Sequence, residues 1–358
     1  MDEQIFVAQR FGGISRMFVS LLEEFQRDAS LAVNLHPMSA RVVNHYLLDQ
    51  PELIDTLNVR EAASTWSALA RYLVTPRPRT SVDVVHNTFY LPHGLAGYPG
   101  AKRVVTIHDM IPELMPRTRR RLDFITLKKA YVDRADHVIC VSEATHRDLE
   151  TVYGTLRAPV SVIHHGVDAR FHPGAERPAA LPSDYLLFVG NRTQYKDVDT
   201  LFRAFASLAD RHAYLSLVLV GGGPIRPSEA ATLRRLGIQG RVSQHALTDA
   251  DLPGAYTHAT AFVFPSRHEG FGLPVLEAMA CGSPSVLARA TSLPEVGGDA
   301  AAYFAPGDSD ELADVLLGLI NDDARRRDLS SRGRARAAQF TWQDTAARTA
   351  RVYAEVLG

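Results

Sequence analysis

Cysteine is nearly absent, with two residues in 358, Cys140 and Cys281. Both stand in apolar stretches (Val138-Ile139-Cys140-Val141 and Ala278-Met279-Ala280-Cys281), which reads as buried free thiols. So few exclude a disulfide scaffold and a cysteine-based metal site. A surplus of charge is also missing: 39 Lys and Arg stand against 40 Asp and Glu. A nucleic-acid binder normally carries a basic excess, so no nucleic-acid partner is expected. No apolar run approaches the ~18 residues of a membrane span, and Met1-Asp2-Glu3-Gln4 lacks the basic start of a signal peptide. The expected location is cytoplasmic, at most peripheral on the inner face of the plasma membrane. Only 24 Gly and 20 Pro exclude a collagen-like chain, and 46% hydrophobic residues exclude a disordered one.

What is present is an alternation of short apolar runs and amphipathic segments, the pattern of βαβ units and parallel sheets. Strands are expected at Val82–Val85, Arg103–Ile107, Val138–Val141, Val160–Ile163, Tyr185–Val189, Leu215–Val220 and Ala261–Pro265. Helical spacing joins Ile14, Met17, Phe18, Leu21, Leu22 and Phe25, then Leu201, Phe205 and Leu208, then Leu312, Leu316 and Leu319. A single core stops growing near about 250–300 residues, so two domains are expected. Between Gly166 and Ser183 lies an aperiodic stretch with Pro173, Gly174, Pro178 and Pro182, which reads as a linker. The expected fold class is α/β, with doubly wound domains at 1–170 and 184–340. A last helix at 341–358, N-capped by Thr341, is expected to pack back on the first domain.

Open parallel sheets bind ligands beyond the carboxyl ends of their strands, so loops that leave a strand and open a helix carry most weight. One follows Ala261–Pro265 and reads His268-Glu269-Gly270-Phe271-Gly272-Leu273-Pro274-Val275-Leu276-Glu277. Its glycines let backbone approach a ligand, Pro274 suits a first helical turn, and the helix start offers free N–H groups to an anion. Glu269 and Glu277 bracket that position and could each grip hydroxyls. For Glu277 alone, a plain helix-start carboxylate is an equal alternative. A second loop, Gly190-Asn191-Arg192-Thr193-Gln194-Tyr195-Lys196, places two cations where a helix begins, which is the wrong end for them unless an anion binds. Together Arg192 and Lys196 would offset a diphosphate without a metal. The third is Gly12-Gly13, ahead of the first amphipathic helix, a weak signal by itself. His108, at the end of Arg103–Ile107, reads alone as structural. Gly221-Gly222-Gly223-Pro224 fails as a dinucleotide loop, and neither zinc spacing nor a Walker loop occurs.

Taken together, Gly190–Lys196, the Glu269 to Glu277 spacing, Gly12-Gly13-Ile14-Ser15-Arg16, Thr106-Ile107-His108-Asp109-Met110-Ile111-Pro112 and His165-Gly166-Val167-Asp168 resemble glycosyltransferase family 4. The variants look most like those of bacterial mannosyltransferases that build surface polysaccharide. The resemblance implies a GT-B fold, two Rossmann-like domains facing across a cleft. It implies retaining, metal-independent transfer of a hexose from a nucleotide-diphosphate sugar, such as GDP-mannose, to a glycan or lipid-linked acceptor. No cofactor is expected beyond that co-substrate. Arg192 and Lys196 would stabilise the departing diphosphate. Glu269 and the backbone N–H groups of Gly270, Phe271, Gly272 and Leu273 would hold the sugar. Glu277 would bind the ribose, Gly12 and Gly13 would line the diphosphate, and His108 would contact the sugar. The base would lie near Ala246 and Leu247. One departure is that the family places a whole strand before the double-glycine loop, where only Met1–Ala8 stands here.

Two other functions share this architecture: a nucleotide-sugar 2-epimerase, and an inactive nucleotide- or carbohydrate-binding homologue. The basic stretch from Arg117 to Lys129, with Arg119, Arg120, Arg121 and Lys128, is expected either to dock on anionic lipid or to form a solvated helix packed on its own domain.

Overall fold

The computed structural model describes residues 1–75, 81–115 and 122–358. The chain forms two units, Met1–Gly166 with Thr341–Gly358, and Val167–Phe340. In the first, β1 (Arg41–Val42) and β2 (Arg60–Glu61) pair as a short parallel ribbon. The main sheet runs β3 (Val84–Asn87), β4 (Lys102–Ile107), β5 (His137–Cys140) and β6 (Val160–Val162), all parallel and in that order. Alternate side chains go to opposite faces. Val104 and Ile139 meet Val352 of the C-terminal helix Trp342–Leu357, whereas Val105, Ile107, Val138 and Cys140 pack with Tyr131 and Leu149 on the other side. His86 locks that helix to the sheet, its Nδ1 2.6 Å from the Tyr353 hydroxyl and its Nε2 2.7 Å from Thr106 Oγ1.

Met1–Ala8 forms no strand. Gln4–Ala8 is helical, and Asp2 is tied to the end of β3, its N–H donating to His86 O and its carboxylate accepting from Thr88 N and Oγ1 at 2.9 and 2.7 Å. Of the basic stretch, Arg117, Arg119, Arg120 and Arg121 lie outside the described residues. The helix Leu122–Asp133 packs on its own domain through Tyr131 and Val132, but Lys128 is interior to it and not solvated, paired with Glu113, while Lys129 pairs with Asp133 one turn on. Among the described residues no helix is long and apolar enough to cross a membrane.

The second unit holds β7 (Tyr185–Val189), β8 (Ser216–Val220), β9 (Val242–His245), β10 (Ala261–Phe264), β11 (Ser285–Ala288) and β12 (Ala302–Phe304). All are parallel, in the spatial order β12-β11-β10-β7-β8-β9. The chain builds outward from β7 through β9, then crosses back to lay β10 on the other side of β7. The direction of winding reverses between β7 and β10, so the crossover segments leave the carboxyl ends of these neighbours on opposite faces and open a crevice there.

Candidate active site

The loops that leave β7 and β10 are the two that the sequence singles out, and both open onto that switch point. After β7 the chain passes Gly190, makes a tight turn at Gln194–Lys196, and enters the helix Val198–Ala209 through Asp197 in a left-handed conformation (φ 49°). Lys196 thereby sits just before the helix start. Its Nζ lies 2.5 Å from Glu269 Oε1, both side chains being about nine-tenths buried, and 4.8 Å from the centroid of Phe264. The ammonium is paired with a carboxylate and covered by an aromatic face beside a helix N-terminus, so an anion bound there would share it with Glu269.

The β10 loop is held from three sides. Arg267 donates from Nε to Asp197 Oδ2 at 2.7 Å and from its backbone N–H to Tyr195 O at 2.8 Å, joining the two loops. The Glu269 N–H donates to Thr291 Oγ1 at 2.9 Å, and Ser292 Oγ donates to the carbonyls of Glu269 and Phe271. Gly272 then caps the helix Leu273–Ala280 at φ 110°, where a Cβ would meet Leu293 Cδ2 at 3.2 Å. A side chain there would be strained twice over. Glu277, one turn into the helix, accepts from the Tyr256 hydroxyl at 3.0 Å and is buried. Phe271 turns inward against Phe340, so only its backbone is left for a ligand. Leu273 is half-buried. Ala246 and Leu247 follow β9 at the same sheet end, Ala246 being exposed.

Arg192 has a different set of partners. It is buried, and its Nε pairs with Glu229 Oε1 at 3.1 Å. Nη1 donates to Gly221 O at 2.6 Å, and Nη2 to Gly223 O and Pro224 O at 2.8 Å each. Four hydrogen bonds from a group with five N–H donors leave little for a diphosphate. The cause lies in the loop after β8: Gly221, Gly222 and Gly223 are all left-handed (φ 83°, 71° and 72°), and its carbonyls converge on the guanidinium. Burial pushes the Glu229 carboxyl up, but hydrogen bonds from Arg226 and Arg192 outweigh it and hold it below its ordinary value.

The first unit brings together another set. Gly12 caps the helix Gly13–Arg27, and Gln9 Oε1 accepts from the Ser15 N–H at 3.2 Å, so part of this helix N-terminus is already satisfied. Gly13 is exposed. Phe18 of the same helix meets His108 edge-on at 5.7 Å, and the His165 ring lies 6.3 Å from His108. His108 Nε2 is buried without a hydrogen-bond partner. Burial, then His165, His86 and Lys128, drive the His108 imidazole well below its ordinary pKa, so it is neutral.

Glu229, Asp197, Thr291, Ser292 and Tyr256 escaped sequence reasoning. The one available signal was Gly221-Gly222-Gly223-Pro224, whose carbonyls serve an arginine and not a dinucleotide.

Two family models match the chain, one described as "Glycosyltransferase Family 4" over residues 11–171 and one as "Glycosyl transferases group 1" over residues 183–322. The O-antigen chain mannosyltransferase B of Escherichia coli is 31% identical over 283 residues, which cover 74% of this chain and 72% of that protein. The MMP alpha-(1->4)-mannosyltransferase of Mycolicibacterium hassiacum is 30% identical over 341 residues, covering 86% and 80%. Among solved structures, Anabaena HepE in complex with UDP and glucose matches with a TM-score of 0.71 at 19% identity over 96% of each chain, a likeness of fold. With relatives of this identity matched along most of their length, the chain belongs to glycosyltransferase family 4 and has the GT-B fold built from two Rossmann-like domains.

Proposed function

We propose that this glycosyltransferase moves a hexose from a nucleotide-diphosphate sugar to a glycan or lipid-linked acceptor, with retention at the anomeric carbon and no divalent ion. The observation that carries the reading is the Lys196–Glu269 pair at the β7/β10 switch point, with Glu277 buried behind it. Cleaving the sugar–phosphate bond sends an electron pair to the diphosphate, and a cation fixed in a water-poor site stabilises that charge better than solvent does. Lys196 supplies it together with the start of the helix Val198–Ala209. Glu269 accepts hydrogen bonds from sugar hydroxyls beside the N–H groups of Gly270, Phe271, Gly272 and Leu273, and Glu277 takes the ribose. Arg192 holds the Gly221–Pro224 loop in place of touching phosphate. For the first domain the family resemblance implies Gly12 and Gly13 as diphosphate contacts and His108 as a sugar contact. The likeness to the two mannosyltransferase relatives favours mannose as the sugar, with GDP-mannose as the donor.

The test is sugar transfer by the Lys196→Ala protein, read with and without a chelator. Loss of one electrostatic donor is expected to lower kcat about 100- to 1,000-fold, with chelator changing nothing in the parent. Turnover abolished by chelator would overturn the metal-free reading. Epimer formed from donor alone would favour the epimerase instead.

A further inference from the structure

Among the described residues Lys128 is the most deeply buried cation outside the donor loops, with 2% of its side chain exposed. Its Nζ lies 2.9 Å from Glu113 Oε2 and donates at 2.9 Å to the carbonyl of Asp109, the residue after His108. Glu113, equally buried, accepts from the Tyr153 hydroxyl through its other oxygen at 3.0 Å. Tyr90 and Phe124 stand over the ammonium at 5.8 and 5.5 Å. A buried ion pair of this kind is a poor source of stability, because apolar side chains of like volume generally pack as well without the desolvation cost. Its specific product here is geometric. One bond of the ammonium goes to the carboxylate and the other to a backbone carbonyl at the exit of β4, so the cation fixes the turn on which His108 sits.

We propose that Lys128 is a positioning residue for His108: by gripping the Asp109 carbonyl it fixes the turn from which the imidazole projects. The inference rests on the reading that His108 faces the donor sugar. The groups facing the imidazole are His165 from the segment after β6, His86 from β3 and Lys128 from the helix Leu122–Asp133, with Asp109 adjacent in the chain and the apolar ring of Phe18 opposite. Burial is the main reason that ring is held neutral, and His165, His86 and then Lys128 add to it. A neutral ring whose Nε2 has no partner among the described residues can bond a sugar hydroxyl; an imidazolium could only donate.

The experiment compares K128M, K128Q, K128R and H108N with the parent. It reads kcat for transfer against pH, nucleoside-diphosphate affinity by calorimetry, and the His108 ring titration by NMR, assigned by its loss in H108N. K128M is expected to lose about 10- to 100-fold in kcat, to keep GDP affinity within about twofold, and to shift the His108 ring titration upward. K128R should restore most of the rate, and the H108N/K128M double variant should be no slower than H108N. K128Q keeps a donor without the charge, so it should move the titration while sparing more of the rate, and it carries the test if K128M does not fold. Parent-like kcat and ring titration in folded K128M or K128Q, or losses in K128M and H108N that add, would overturn the proposal. H108N with undiminished kcat would instead overturn the reading beneath it, whatever the Lys128 variants do to the titration.

Discussion

Arg192 and Lys196 stand four residues apart and carry the same charge, yet the protein uses them differently. The distinction comes from partners far away in the chain: Glu269 for the lysine, Glu229 and three loop carbonyls for the arginine. Nothing in Gly190–Lys196 announces Glu229, so sequence reasoning located the loop and not the partners of its two cations. The consequence is measurable. Arg192→Met should unfold more readily, since truncating one member of a buried pair leaves uncompensated charge at a cost of about 3–5 kcal/mol, lessened here because Arg226 still pairs with Glu229. Denaturant titration is expected to show a clear fall in midpoint, and one unchanged would contradict the clamp. The cysteines were legible for a simpler reason, their apolar neighbours. Cys140 and Cys281 are both buried, and burial pushes the Cys281 thiol up to about 12 and Cys140 higher still. A thiol reagent at pH 8 should therefore modify neither in the native protein and both after unfolding.

At the level of elements, the long apolar strands were readable because parallel strands covered on both faces are apolar throughout. β9 (Val-Ser-Gln-His), β11 (Ser-Val-Leu-Ala) and β12 (Ala-Tyr-Phe) were missed: they are three or four residues long and mix polar or small side chains with apolar ones. The helix Leu122–Asp133 was misread in part because an interior lysine looks like a surface lysine until its carboxylate partner is known. His86 and His165 are invisible in the same way. Burial pushes both down to about 3, so the folded protein keeps them neutral while the unfolded chain takes up protons below about 6.5. With the folded value depressed, stability is intact above that pH and is lost as pH falls toward 3, by about 1.4 kcal/mol per pH unit for each histidine. Urea midpoints at pH 7.5 and pH 5.0 should differ accordingly, the slope reporting uptake of two protons or more. A midpoint independent of pH over that span would mean the rings are not held neutral.

The whole chain was legible in outline because two runs of strand–helix alternation are separated by an aperiodic, proline-rich stretch, and each run now corresponds to a parallel sheet. Donor identity was not legible, since the loop around Ala246 and Leu247 offers one exposed small residue and a half-buried apolar one near the expected base position. The division into two units still permits a sharp expectation. Lys196, Glu269 and Glu277 all belong to Val167–Phe340, so a nucleotide recognised through them stabilises that unit by mass action. At 100-fold excess over Kd the gain is about 2.7 kcal/mol, which for a domain of this size raises Tm by about 5–10 °C. In a thermal-shift series of GDP, UDP, ADP and dTDP, GDP is expected to give the largest rise, because the proposed donor carries guanine. The Lys196→Ala protein should lose most of the rise for the diphosphate while responding to free guanosine as the parent does. A rise of equal size in both proteins would mean that the ammonium does not meet the phosphates, and the switch-point assignment would fall with it.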